Sequence, residues 1–133
     1  MGKEAKEGKT SETILLVDDD TRIRRLARKV LEQEGYTVLE AEDGEEALRL
    51  GQESAGSIRL LLTDLVMPGM NGRILAAHLQ VRYPEMQVLY MSGYKDYAIG
   101  VDAVLEPDAN YLSKPFTPDS LLRAVREVLR QKG

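Results

Sequence analysis

The sequence predicts a doubly wound α/β sandwich of the (βα)5 type, with five parallel strands alternating with five helices. Three observations predict it. Short apolar runs alternate with longer stretches of helical periodicity. Three of those runs, Ile14-Leu15-Leu16-Val17, Leu60-Leu61-Leu62 and Val88-Leu89-Tyr90-Met91, are apolar without interruption, as strands covered on both faces must be. The segments between them carry helix start and stop residues where a helix would need them. The strands fall at Ile14–Val17, Tyr36–Glu40, Leu60–Thr63, Val88–Met91 and Tyr111–Ser113.

Each helix has its own punctuation. After Asp20, residues Ile23, Leu26, Ala27, Val30 and Leu31 form an inner stripe at i, i+3, i+4, i+7 and i+8, and Gly35 ends it. Asp43 with Glu46 three residues on is a variant capping box, opening a second helix through about Glu53. Asn71 caps the third, with Ile74, Leu75 and Leu79 turned inward and Pro84 closing it. The fourth, Asp96–Leu105, is the weak one, because it contains Gly100 and Pro107 follows. Thr117, with Pro118 at the first helical position, opens the fifth, whose stripe is Leu121, Leu122, Val125, Val128 and Leu129. Residues 1–12 are rich in Lys and Glu and have almost nothing to bury, so they read as a disordered tail or linker before a domain spanning 13–131.

Composition narrows the chemistry. A chain of 133 residues is one domain, and its 43% hydrophobic and 30% charged fractions are those of an ordinary globular protein. With no Cys, disulfides, thiolate zinc sites, iron–sulfur clusters and cysteine catalysis are excluded. A single histidine, His78, on the polar side of the third helix, argues against a His-rich metal site. No apolar run approaches the ~18–20 residues needed to span a bilayer. The absence of an export signal favours the cytoplasm. A net charge of −4 speaks against direct nucleic-acid binding.

In an open parallel sheet, ligands bind beyond the carboxyl ends of the strands, where strand order reverses. At those ends stand Asp18-Asp19-Asp20, Thr63-Asp64, Ser92-Gly93 and Ser113-Lys114-Pro115. Gathering Asp18, Asp19 and Asp64 is costly unless a cation neutralises them. Oxygen ligands without His or Cys suit a hard ion, with Mg2+ the natural candidate. Asp20, just before the first helix, reads equally well as a helix cap.

Four segments, Ile14-Leu15-Leu16-Val17-Asp18-Asp19-Asp20, Leu62 through Gly72, Met91-Ser92-Gly93-Tyr94 and Tyr111-Leu112-Ser113-Lys114-Pro115-Phe116, together resemble the response-regulator receiver domain of two-component signalling. The resemblance runs from about Thr13 to Arg130. It implies a flavodoxin-like strand order 2-1-3-4-5 and a phosphoacceptor role for Asp64. The phosphoryl group would come from a phosphohistidine of a histidine kinase or a histidine phosphotransfer domain. Asp18, Asp19, Asp64 and the backbone carbonyl of Val66 would hold Mg2+, for which Mn2+ could substitute. Ser92 matches the switch hydroxyl, Lys114 the lysine that pairs with the phosphoryl group, and Tyr111 the aromatic whose rotamer follows the switch. Lys114-Pro115 matches the family's cis peptide.

The resemblance further implies a signalling module rather than an enzyme, with an output surface on the fourth helix, fifth strand and fifth helix. It allows a phosphorylation-dependent homodimer and no membrane contact by this domain. Either a stand-alone regulator or the receiver of a hybrid sensor histidine kinase fits, the latter placing the domain on the cytoplasmic side of a membrane-bound kinase. The first helix carries Arg22, Arg24, Arg25, Arg28 and Lys29, a candidate kinase-docking face with Arg22 and Arg25 foremost, and a solvated basic face is the alternative. Ser92 stands where Thr is commoner and Gly93 where Ala is frequent, which should loosen the loop. Val66 and Tyr94 occupy the positions that tune dephosphorylation. Neither can orient a water molecule, so self-dephosphorylation should be slow.

A second reading is a small phosphohydrolase of the haloacid-dehalogenase type, with Asp18 as nucleophile and Asp20 as acid/base. It lacks a further acidic pair after the lysine strand, where Phe116-Thr117-Pro118 stands instead, and leaves Asp64 without a task.

Overall fold

A computed structural model describes residues 12–54, 56–93 and 109–131. The predicted fourth helix and Tyr94 lie outside the described residues. The elements run β1 (Thr13–Val17), α1 (Thr21–Gln33), β2 (Thr37–Ala41), α2 (Gly44–Glu53), β3 (Leu60–Asp64), α3 (Gly72–Arg82), β4 (Gln87–Ser92), β5 (Asn110–Ser113) and α4 (Pro118–Arg130). Here α4 is the fifth helix of the sequence reading. All strand pairs are parallel, in the order β2-β1-β3-β4-β5. The chain moves from β1 to one side and then returns past it to β3, so the switch point lies between β1 and β3.

Because successive side chains on a strand point to opposite faces, each continuous apolar run feeds two cores. Ile14 and Leu16 of β1, with Leu60 and Leu62 of β3, pack beneath Ala27, Val30 and Leu31 of α1 and Leu121, Val125 and Val128 of α4. Leu15, Val17 and Leu61 pack on the other face beneath Ala47 of α2 and Leu75, Ala76 and Leu79 of α3. The helix stripes were over-assigned at two places. Leu26 is 43% and Ile74 48% exposed, each one helical step outside the arc that meets the sheet. Ala76, which the stripe omitted, is buried, its small side chain letting α3 approach the strands.

Asp20, Asn71 and Thr117 cap α1, α3 and α4 through backbone N–H groups. At α2, Asp43 accepts from the Glu46 N–H at 2.8 Å. The Glu46 carboxylate reaches back past the cap to the N–H of Glu42, also at 2.8 Å, so the second arm of the predicted box is displaced by one residue. A full reciprocal box forms instead between Thr117 and Ser120. Gly35, with φ of 96°, ends α1: its N–H donates to Glu32 and that of Tyr36 to Leu31, the paired closure a left-handed residue permits. Glu12, assigned to the tail from sequence, is instead tied to the sheet edge. Its carbonyl accepts from Thr37 N–H at 3.1 Å, and its carboxylate meets Arg59 Nε at 3.2 Å. His78 is exposed, Tyr36 half-buried, and Tyr83 buried with its hydroxyl donating to the Gly51 carbonyl. Among the described residues, no helix is long and apolar enough to cross a membrane.

One charged network joins α1 to β2. Glu40 accepts from Arg28 Nη1 at 2.6 Å and from Arg24 Nε at 3.1 Å. Burial works to raise the Glu40 pKa, but the hydrogen bonds and charges of Arg28 and Arg24 outweigh it and hold the carboxyl below its ordinary 4.5. A lowered folded value makes the carboxylate stabilising above the unfolded pKa, and that stability is lost as pH falls through the folded value. We therefore expect Glu40→Gln to flatten the acid limb of the thermal midpoint measured between about pH 3 and 6, leaving its slope above that range unchanged. Equal acid limbs for the two proteins would remove the assignment.

Candidate functional site

The strand register brings the site together. Val17 lies level with Ala41 and Thr63, Asp64 with Met91, and Ser92 with Ser113, so all these strands end at one edge. Asp18 leaves β1 on one side of the switch point and Asp64 ends β3 on the other. Both are fully buried, whereas Asp19 is exposed. One carboxylate oxygen from each of Asp18, Asp19 and Asp64 lies within 4.8 Å of the others.

Lys114, just past β5, extends into this cluster. Its Nζ lies 2.8 Å from Asp18 Oδ2 and 3.3 Å from Asp64 Oδ2, with the side chain only 12% exposed. Burial works to lower the lysine pKa, but the hydrogen bond it donates to Asp18 and the charges of Asp64 and Asp18 together raise it, so the group stays an ammonium at neutral pH. Among the described residues, three carboxylates against one ammonium leave an excess of negative charge in a mostly dry cleft. A donor set of carboxylate oxygens with no nitrogen or sulfur ligand fits a small hard divalent cation such as Mg2+.

The loops that carry these groups are pinned by their own backbone. The Asp18 N–H donates to Ala41 O at 3.2 Å, its carbonyl accepts from Arg24 Nη1 at 2.8 Å, and its Oδ1 accepts from Asp20 N–H at 2.8 Å. Past β3, Leu65 N–H donates to Met91 O and Gly72 N–H to Leu65 O, both at 2.9 Å, while Thr63 Oγ1 donates to the Asp64 carbonyl at 3.0 Å. Val66 sits in this loop, half-buried against the α2–α3 core.

The remaining predicted residues are arranged around the cluster. Ser92 is buried at the end of β4, and its carbonyl accepts from Lys114 N–H at 2.8 Å. Gly93 follows; a Cβ there would meet the Lys114 stem at 3.7 Å, an ordinary contact. The Lys114–Pro115 peptide is cis. Tyr111, half-buried on β5, stacks on its cross-strand neighbour Tyr90 with ring centroids 5.7 Å apart. Arg22 and Arg25 are exposed on α1. The Asp20 carboxylate is exposed and occupied as the α1 cap, and the N–H groups of Arg22 and Ile23 hold its pKa below the ordinary carboxylate range. Both bonds fall on Oδ1, which gives Asp20 the structural role of a helix cap.

Sequence reasoning placed Arg24 on a basic helix face and gave Glu40, Thr63 and Gly72 no task; Arg24, Thr63 and Gly72 instead hold backbone beside the acidic residues, and Glu40 braces Arg24. A glycine opening a helix and a hydroxyl before Asp64 were visible signals, but their partners are set by tertiary contact.

Fold and site define a flavodoxin-like α/β protein with an acidic, lysine-bearing cleft at the switch point of its sheet. The family model of the response regulator receiver domain matches residues 14–126, and the chain belongs to that family. It is 37% identical over 116 residues to the response regulator receiver protein CpdR of Brucella abortus, covering 87% of this chain and 95% of CpdR. It is 34% identical over 122 residues to the sensor kinase CckA of the same organism, covering 92% of this chain but only 13% of the kinase. A crystal structure of a response regulator receiver domain protein from Clostridium thermocellum superimposes with a TM-score of 0.76 at 30% identity, covering 90% of this chain and 95% of that one. Receiver domains are signalling modules of two-component systems that work with histidine kinases or phosphotransfer proteins, and the phosphohydrolase reading is not favoured.

Proposed function

We propose that this chain is the phosphoacceptor of a two-component phosphorelay, with Asp64 taking a phosphoryl group from a phosphohistidine of a histidine kinase or histidine phosphotransfer domain. The observation that supports it most is the gathering of Asp18, Asp19 and Asp64 within 4.8 Å of one another, with Lys114 against two of them. An Asp64 carboxylate oxygen attacks phosphorus in line. The P–O bond forms as the P–N bond breaks, and the electron pair stays on the imidazole nitrogen, which then takes a proton from solvent. A carboxylate is already ionised at neutral pH and needs no general base. Lys114 and the Ser92 hydroxyl stabilise charge on the equatorial oxygens, the main task of a protein in phosphoryl transfer. Asp18, Asp19, Asp64 and the Val66 carbonyl are the groups that would hold Mg2+ or Mn2+, and the ion when bound supplies further neutralisation of those oxygens.

Once Asp64 carries the phosphoryl group, its new acceptor oxygens draw Ser92 and Lys114 inward. Tyr111 then trades its stack on Tyr90 for the space this opens, altering the surface of β5 and α4, where a second copy of the chain can dock. Val66 offers no group to orient a water molecule and so slows hydrolysis of the acyl phosphate, the task the sequence also gives Tyr94, which lies outside the described residues. Arg22 and Arg25 offer the kinase a basic face on α1. The chain is a signalling module that catalyses only its own phosphorylation and slow dephosphorylation, works in the cytoplasm without touching nucleic acid or membrane, and can serve alone or as the receiver of a hybrid kinase, as its likeness to CckA suggests.

Incubation with acetyl phosphate and Mg2+ followed by intact-mass measurement tests this. One phosphoryl adduct is expected on the wild type and none on Asp64→Asn. Repeated turnover of a phosphate ester, sensitive to Asp18→Asn and indifferent to Asp64→Asn, would overturn the reading in favour of a hydrolase.

A further inference from the structure

Arg24 has no task in the chemistry above, yet it is tied to the acidic cleft from behind. Its side chain is 14% exposed. Nη1 donates to the backbone carbonyl of Asp18 at 2.8 Å and Nε to Glu40 Oε1 at 3.1 Å. Glu40 in turn is held through its other oxygen by Arg28 Nη1 at 2.6 Å, so its carboxylate is braced from both sides.

The carbonyl that Arg24 holds belongs to the peptide joining Asp18 to Asp19. The last residue of β1 in the ladder is Val17, so this carbonyl lies past the end of the paired strand. Asp18 has other restraints: its side chain is fully buried, its N–H is bound to Ala41, and its Oδ1 to Asp20. Asp19 is exposed, so packing does little to fix its carboxylate, and the direction of the preceding peptide decides where it points. Turning that peptide would swing Asp19 out of the cluster while leaving Asp18 in the core.

We propose that Arg24, braced by Glu40, is a positioning residue that fixes the Asp18–Asp19 peptide so that the exposed Asp19 carboxylate faces Asp18 and Asp64 before a divalent cation arrives. This rests on the phosphoacceptor reading in one respect, that the three carboxylates are cation ligands. A planar guanidinium presents two donors in a fixed fork, one for the carbonyl and one for Glu40. A lysine ammonium carries the same charge without that geometry.

The test is calorimetric titration with MgCl2 of the wild type, Arg24→Lys and Glu40→Gln, alongside thermal midpoints without Mg2+. Losing a residue that orients a metal ligand is expected to weaken Mg2+ binding about tenfold in Arg24→Lys, and in the same direction in Glu40→Gln. The rate of phosphorylation by acetyl phosphate at saturating Mg2+ should stay within about twofold of wild type, because only the approach of the ion is affected. In an Asp19→Asn background, Arg24→Lys should cost no further Mg2+ affinity. A residue that merely supports the fold would lower the midpoint and leave these binding ratios alone. If Arg24→Lys fails to fold, Glu40→Gln decides. Wild-type binding with both variants within about twofold overturns the inference and spares the phosphoacceptor reading. A wild type that binds no Mg2+ sinks both.

Discussion

Gly72→Ala is expected to unseat the strand end that carries Asp64. A Cβ at this position would lie 2.5 Å from the Asp64 backbone carbonyl oxygen and 3.0 Å from Thr63 Cγ2. A carbonyl has no rotamer by which to escape, so either the β3 end or the first turn of α3 must move. The displacement also strains the bond from Gly72 N–H to Leu65 O, which closes the loop between them. Overpacking of this kind costs about 1–3 kcal/mol, and with backbone as the obstacle we expect the upper part of that range. The functional loss should be larger than the loss of stability suggests. A shift near 1 Å in a reacting group can cost on the order of a hundredfold in rate, and Asp64 is the reacting group of the proposed transfer. Chemical denaturation and phosphorylation by acetyl phosphate measure the two effects separately. Gly93→Ala is the control, since its Cβ would meet Lys114 at 3.7 Å and nothing among the described residues need move. A Gly72→Ala protein with an unchanged unfolding midpoint would contradict the close approach.

The same pair of residues marks how far the sequence could be read. Strand ends and caps were legible because their signals are local: apolar runs bounded by Asp18, Asp64 and Lys114, and side chains such as Asn71 and Thr117 that reach only three residues ahead. The proposed site residues stood out for the same reason, since each stands at the end of its own run, and the fold brings the three acids and Lys114 together. What holds them is not local. Arg24 meets Glu40 across 16 residues, and the contact exists only because α1 lies over β2. Gly72 is ordinary in sequence and becomes indispensable only when α3 starts against the Asp64 carbonyl. Leu26 and Ile74 failed for a related reason. Periodicity gives the direction of an apolar arc but not its width, and that depends on how closely the helix lies on the sheet.

Lys114→Met and Asp64→Asn should move stability in opposite directions, and the sign follows from charge at the cleft. Lys114 carries the ammonium that faces Asp18 and Asp64, both fully buried. Replacing it by an apolar side chain of similar length leaves two carboxylates confronting each other in a dry site. Removing one partner of a buried ion pair costs about 3–5 kcal/mol. For a domain of this size that is a fall of about 10 °C or more in the thermal midpoint without Mg2+. Added Mg2+ should recover part of it, by about 2.7 kcal/mol at a hundred times its dissociation constant, because the ion restores the missing positive charge. Asp64→Asn removes a negative charge instead. Asp18 keeps its ammonium at 2.8 Å and loses a like-charged neighbour, so the Mg2+-free protein should be more stable than wild type while accepting no phosphoryl group. The wild type would then be less stable than its own inactive variant because the carboxylates that attract the ion repel one another until it binds. Midpoints of the three proteins with and without Mg2+ decide the matter. Lys114→Met melting within about 2 °C of wild type in the absence of Mg2+ would mean that the cleft admits enough water to screen its charges.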